Sequence, residues 1–178
     1  MDFTHDDLLF FCKNIHDTSF VGNNGGMGSP DLFTLYHSLK KIQPKIVIES
    51  GVWNGISTKL IRKTLPDAII ICLDPREIPL YGFRDYNEKT KYYIGKDFQD
   101  FSTLDLSSYN SSDVFAFFDC HQNAPLRLLQ CIDKNITHTF FNDNYPKNCG
   151  SHFTINHLRS SDERFSIDVE KKTKYRMQ

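Results

Sequence analysis

Apolar and polar positions alternate along the chain in two kinds of stretch. Short unbroken apolar runs, too brief for helices, mark buried strands. Stretches with apolar residues three and four apart mark amphipathic helices. Thr4 and Asp7 outline a capping box with Asp in place of Glu. Residues 5–15 then read as a short helix with Leu8, Leu9, Phe11, Cys12 and Ile15 inward. Ser29-Pro30 opens a second helix, Ser as N-cap and Pro in the first turn. Leu32, Leu35, Tyr36, Leu39 and Ile42 share its apolar face, and Gln43-Pro44 ends it. Ile46-Val-Ile48 is the first strand, and a helix runs over about 57–64 until Leu65-Pro66-Asp67 breaks it. Ala68-Ile-Ile-Ile-Cys-Leu-Asp74 is the second strand and Tyr92-Tyr-Ile-Gly-Lys-Asp97 the third, with a loop and room for a short helix over 76–90. Val114-Phe-Ala-Phe-Phe-Asp119 is the fourth. A helix over 124–134 follows, with Leu126, Leu129 and Ile132 inward, and Thr139-Phe-Phe-Asn-Asp143-Asn144 is the fifth strand. Residues 151–161 suit a further helix. Residues 164–170 alternate like a half-exposed strand, with Phe165, Ile167 and Val169 on one face.

Strands alternating with helices predict an α/β fold, a Rossmann-like doubly wound, mostly parallel sheet. At 178 residues the length fits a single domain spanning 1–178. Four strand ends carry acids: Glu49, Asp74, Asp119 and Asp143. In such a sheet ligands bind beyond the carboxyl ends of the strands. Acids gathered there are costly unless something positive joins them. After the first strand come Gly51 and Gly55, with Ser57 and Thr58 opening the helix. Gly51 allows a sharp turn close to a ligand, and Gly55 lets the helix lie near the sheet. The helix start offers unpaired N–H groups and a positive dipole end. Asp74, ending the next strand, is placed to accept hydrogen bonds from ribose hydroxyls. Residues 20–29, with four glycines and two asparagines, read as a linker or as a lid over a ligand.

The net charge of −1 gives no global field to attract a nucleic-acid backbone, so a dedicated nucleic-acid binder is not expected. No apolar run approaches a membrane span. Five cysteines without a CxxC pair, and an acidic N-terminus without a secretory pattern, predict reduced thiols and a cytoplasmic protein. His152 and His157 are spaced wrongly for zinc on one helical face. Cys120 shows no electropositive setting in the sequence, and no Gly-x-Ser-x-Gly elbow is present.

Glu49-Ser-Gly51-Val-Trp-Asn-Gly55 followed by Leu73-Asp74-Pro75 resembles the first two motifs of class I S-adenosylmethionine (SAM)-dependent methyltransferases, over roughly residues 20–145. The resemblance implies a SAM site built on Glu49, Gly51, Trp53, Gly55, Ser57 and Asp74. It also implies Asp97 near the adenine amine and Phe98 against the ring. The family's sheet has seven strands. Residue 145 onward supplies one clear strand, so the sheet is expected to be shortened at its C-terminal end or completed by a partner, and an exposed edge would favour a homodimer.

Asp119, Asp143 and Asn144 form an oxygen-rich set at adjacent strand ends, suited to Mg²⁺ or Mn²⁺. Such a cation acidifies a hydroxyl that it binds. The set resembles the metal site of cation-dependent, catechol-type O-methyltransferases. Those enzymes carry a lysine shortly after the first Asp; here Cys120, His121 and Gln122 follow, and His121 is the candidate base. The run from Glu49 to Asp74, with Asp119-Cys-His121-Gln122 and Asp143-Asn-Tyr-Pro, also resembles small methyltransferase-like proteins of polysaccharide and surface-glycan synthesis. That implies a small-molecule or glycan hydroxyl as methyl acceptor. Two other expectations fit the same scaffold: a metal-dependent hydroxylase or hydrolase without SAM, and a non-catalytic SAM- or nucleotide-binding module.

Overall fold

The computed structural model describes residues 3–14, 26–146 and 149–159. The expected strand at 164–170, most of the loop at 20–29 and Ile15 lie outside the described residues. Ten helices and strands follow in order: α1 (His5–Asn14), α2 (Ser29–Ile42), β1 (Ile46–Ser50), α3 (Ile56–Thr64), β2 (Ile69–Asp74), β3 (Thr90–Ile94), β4 (Val114–Phe118), α4 (Ala124–Asp133), β5 (His138–Phe141) and α5 (Ile155–Arg159). The strands form one sheet in the order β3-β2-β1-β4-β5, parallel throughout. The chain is an α/β protein with a Rossmann-like sheet. None of the described helices is long and apolar enough to cross a membrane.

Alternation along the strands divides the core. Val47, Ile70, Cys72, Phe115 and Phe117 pack under α1, α2 and α3. Ile46, Ile48, Ile71, Leu73, Ala116 and Phe118 face the other way, against Cys131 of α4 and against Phe101 and Leu104. β1 and β4 are buried along their whole length, because both have strand neighbours at either side and packed layers above and below. Between β3 and β4 the chain makes three short 3₁₀ turns and no α-helix, so Phe101 and Leu104 take the place of a crossover helix.

Several local expectations change. The capping box forms as read: the Thr4 N–H donates to Asp7 Oδ2 at 2.8 Å, and the Asp7 N–H donates to Thr4 Oγ1 at 3.2 Å. On α1, however, Phe11 and Asp7 are buried, while Leu8, Leu9 and Cys12 are exposed. Asp7 is turned inward by Lys40 and by the Tyr36 hydroxyl of α2. The N-cap of α2 is Gly28, not Ser29, with no side-chain cap bond. On α4 the stripe Leu126, Leu129 and Ile132 faces outward; Ala124, Pro125, Arg127 and Cys131 face the core. Arg127 can occupy a buried position because Asp100 pairs with it. Residues 76–90 hold no helix, and β3 ends at Ile94, so Gly95–Asp97 is a 3₁₀ turn.

Candidate functional site

β1 lies between β2, which follows it in sequence, and β4, which arrives from the opposite side. The connections leave in opposite directions from that point, and a crevice opens at the carboxyl ends. A cleft of about 710 Å³ occupies it, a size suited to a small ligand or cofactor. Its walls include Gly51, Trp53, Asp74, Phe98, Asp119 and His121. Acids from three different strand ends therefore bound or adjoin one cleft: Asp74, Asp119 and, through His121, Asp143.

Asp74 is almost fully buried. Its Oδ2 accepts the N–H groups of Val52 (2.9 Å) and Trp53 (3.0 Å), and its Oδ1 accepts the N–H (2.9 Å) and Nε–H (3.2 Å) of Arg76. Burial alone would raise its pKa. The donors of Trp53 and Arg76 outweigh burial and hold it below the usual carboxylate value. The guanidinium of Arg76 also lies 4.7 Å over the Trp53 ring. Trp53 adopts a positive φ of 50° in the turn. Phe98 is 40% exposed and borders the cleft.

The two glycines serve the chain's own packing. Gly51 has φ +96°, and a Cβ there would stand 2.5 Å from the Asp119 carbonyl. Gly55 has φ +79°, and a Cβ would stand 2.0 Å from the Phe83 carbonyl oxygen. The turn after β1 is therefore pressed against the end of β4 on one side and the 75–89 loop on the other.

Glu49 does not open onto the cleft. It is fully buried on the α3 face of the sheet, where Ser57 and Thr58 donate their hydroxyls to Oε1 and Oε2 and the Cys72 thiol lies 3.5 Å away. Burial pushes its pKa up to about 7 against those hydrogen bonds. Ser57 is taken up in the same network. Asp97 is exposed in its turn and does not line the cleft; Asp100, three residues on, does. Asp100 makes a two-pronged pair with Arg127 at 2.9 and 2.6 Å. The Nε of Arg127 is buried with no hydrogen-bond partner, beside Cys120 at the cleft wall.

The acidic cluster joins His121 to the two acids expected from the sequence. Asp119, His121 and Asp143 each place one donor atom within 4.8 Å of the others. His121 Nε2 is 2.7 Å from Asp143 Oδ2 and 4.0 Å from Asp119 Oδ1. Asn144 bonds to Asn156: its side-chain oxygen accepts the Asn156 N–H, and its carbonyl accepts the Asn156 amide. The amide beside the cluster is Asn142, which donates to Asp119 Oδ1 at 2.9 Å. β4 and β5 pair Phe118 with Phe141, so one further step sets Asp119 opposite Asn142. That pairing was the missed signal. Burial raises the Asp119 pKa to about 6, opposed by Asn142 and reinforced by the Asp143 charge. His121 (φ 52°) and Asp143 (φ 51°) both sit in the left-handed region. Such backbone strain is sustained only where surroundings impose it. The His152 ring stacks on His121 at 5.5 Å and 8°, and Tyr145 abuts His152 edge-on. His157 is engaged elsewhere, its Nδ1 against Thr154.

Arg76, Asp100, Arg127 and Asn142 are the candidate-site residues that sequence reasoning missed, and His152 is weighed there only as a zinc ligand. The chain matches no protein-family model, and a search of curated proteins finds no match to it.

Proposed function

We propose that the chain is a SAM-dependent O-methyltransferase, assisted by a divalent cation and acting on a hydroxyl of a sugar, glycan or small diol. One observation supports it above the rest. A buried carboxylate suited to a ribose diol, Asp74, and a His–carboxylate cluster suited to a cation border the same cleft, from separate strands.

The residues fit a SAM-sized cofactor with one adjustment. Asp74 keeps the turn in place through Val52 and Trp53, and Arg76 covers its remaining lone pairs. The Arg76 side chain is 59% exposed, so ribose hydroxyls can displace it. Trp53 and Phe98 offer apolar faces for the adenine end. The donor set also fits a cation: Asp119 and Asp143 supply oxygens, and no Lys or Arg neutralises them among the described residues. A bound cation acidifies a coordinated hydroxyl. The chain's part is to hold that hydroxyl near the methyl donor, which in favourable cases is worth about 7–11 kcal/mol. Two roles remain for His121, proton acceptor or cation ligand.

Calorimetry with S-adenosylhomocysteine, with and without divalent cation, tests the reading. Asp74→Asn should weaken binding about ten-fold or more by removing an ionised acceptor. Equal affinity in the two proteins would sink the ribose assignment. A second reading, a metal-dependent hydroxylase or hydrolase that uses no SAM, is favoured by the imidazole among the carboxylates. Metal binding without any affinity for S-adenosylhomocysteine would support it.

A further inference from the structure

We infer that His121 is a metal ligand, and that the Asp119–His121–Asp143 site takes a transition-metal dication in preference to Mg²⁺. The inference rests on the cation in the reading above, but not on SAM.

Distances come first. With bonds of about 2.1 Å, donors around one ion stand about 3.0 Å apart when cis and about 4.2 Å apart when trans. His121 Nε2 lies 2.7 Å and 4.0 Å from one oxygen of each carboxylate, and all three donor atoms fall within 4.8 Å. Small side-chain shifts close such a set around one ion. Orientation comes second. His121 and Asp143 reach each other from the ends of neighbouring strands through left-handed backbone, φ 52° and 51°. Stacking on His152, itself braced by Tyr145, fixes the imidazole plane while leaving Nε2 toward the acids. Asn142 donates to Asp119 Oδ1, the oxygen nearer His121, and so orients that carboxylate, as partners of metal-ligating carboxylates do. Access comes third. The His121 side chain is 54% exposed and Asp143 30%, so an ion can enter and keep open positions for substrate oxygens.

Donor chemistry decides the metal. Mg²⁺ prefers carboxylate, carbonyl and water oxygens and dehydrates reluctantly. Imidazole nitrogen favours the later divalent metals, with affinity rising from Mn²⁺ through Fe²⁺ and Co²⁺. An oxygen-only set would carry a smaller bias of this kind, and the Asn144 side-chain oxygen already accepts the Asn156 N–H. A ligating Nε2 has no free lone pair, so His121 would not then serve as the base.

The test uses the metal-stripped full chain with CoCl₂, ZnCl₂ and MgCl₂ alone, followed by calorimetry and by Co²⁺ visible absorption. Co²⁺ and Zn²⁺ should bind roughly ten-fold or more tighter than Mg²⁺. His121→Asn should shrink that margin several-fold and shift or abolish the Co²⁺ bands. Asn tolerates left-handed backbone, so this variant should keep the wild-type melting curve. Asp143→Asn should weaken all three ions. Equal Mg²⁺ and Co²⁺ affinities, or a margin undiminished in a folded His121→Asn, would overturn the assignment. S-adenosylhomocysteine binding by the same samples separates the two claims. Its absence beside selective metal binding would end methyl transfer and leave the metal site standing.

Discussion

Glu49→Gln isolates the energetic role of a carboxyl that the glycine-turn motif assigns to a cofactor and the fold places under α3. In the unfolded chain this group loses its proton near an ordinary glutamate value of 4.5; in the folded chain burial holds the proton until about pH 7. The folded state therefore binds more protons between those limits, and stability falls as pH rises through that window. Below about pH 4 both states are protonated and there is no penalty; above about pH 8 both are ionised and the penalty is full. The separation corresponds to about 3 kcal/mol. The amide of Gln is uncharged at every pH, and its oxygen and NH₂ can still meet the Ser57 and Thr58 hydroxyls. Urea denaturation of both proteins across this range removes any constant effect of the substitution, since only the change in their difference counts. Gln should gain on Glu by about 3 kcal/mol between about pH 4 and about pH 8. A difference flat to within about 0.5 kcal/mol would refute the reasoning, for it would mean that Glu49 ionises in the folded protein as it does in water.

Arg76→Ala removes a cover from Asp74. The exposed ion pair and the contact over Trp53 are together worth about 1 kcal/mol, so S-adenosylhomocysteine should bind roughly five-fold tighter by calorimetry. Weaker binding would make Arg76 a contact of the ligand. Gly51→Ala forces left-handed backbone on alanine and drives its Cβ into the Asp119 carbonyl. Denaturant melts should show a loss of at least about 3 kcal/mol, and a change below about 0.5 kcal/mol would show that the turn can relax.

The layout was legible where one force dominates. Short unbroken apolar runs such as Ile46-Val-Ile48 and Val114-Phe-Ala-Phe-Phe118, bounded by turn residues, read as strands buried on both faces, and all five expected strands within the described residues occur. Periodicity failed on α4, where Leu126, Leu129 and Ile132 match a helical stripe yet face outward. A charged residue takes the inward position there, through Asp100, a partner distant in sequence. The site was legible as a set of strand-end acids, not as their contacts. Strand residues alternate, so the direction of each end depends on a one-residue boundary. Glu49 lies within β1 and points to α3; Asp119 lies just past β4 and borders the cleft. Ending β5 at Phe141 instead of Asn144 exchanges Asn144 for Asn142 beside Asp119. His121 was legible by kind, and its place among the acids needed the turn after β4.

Gly51 and the Asp119 carbonyl touch with no side chain between them. The turn that would cradle one guest and the strand end that would grip the other are thus rigidly joined, with no cushion to absorb a shift. If both guests bind, filling either seat should alter the other's affinity, and thermodynamic reciprocity would make the two factors equal. Titrating one guest at several fixed levels of the other would expose that mutual dependence as a family of parallel-shifted curves.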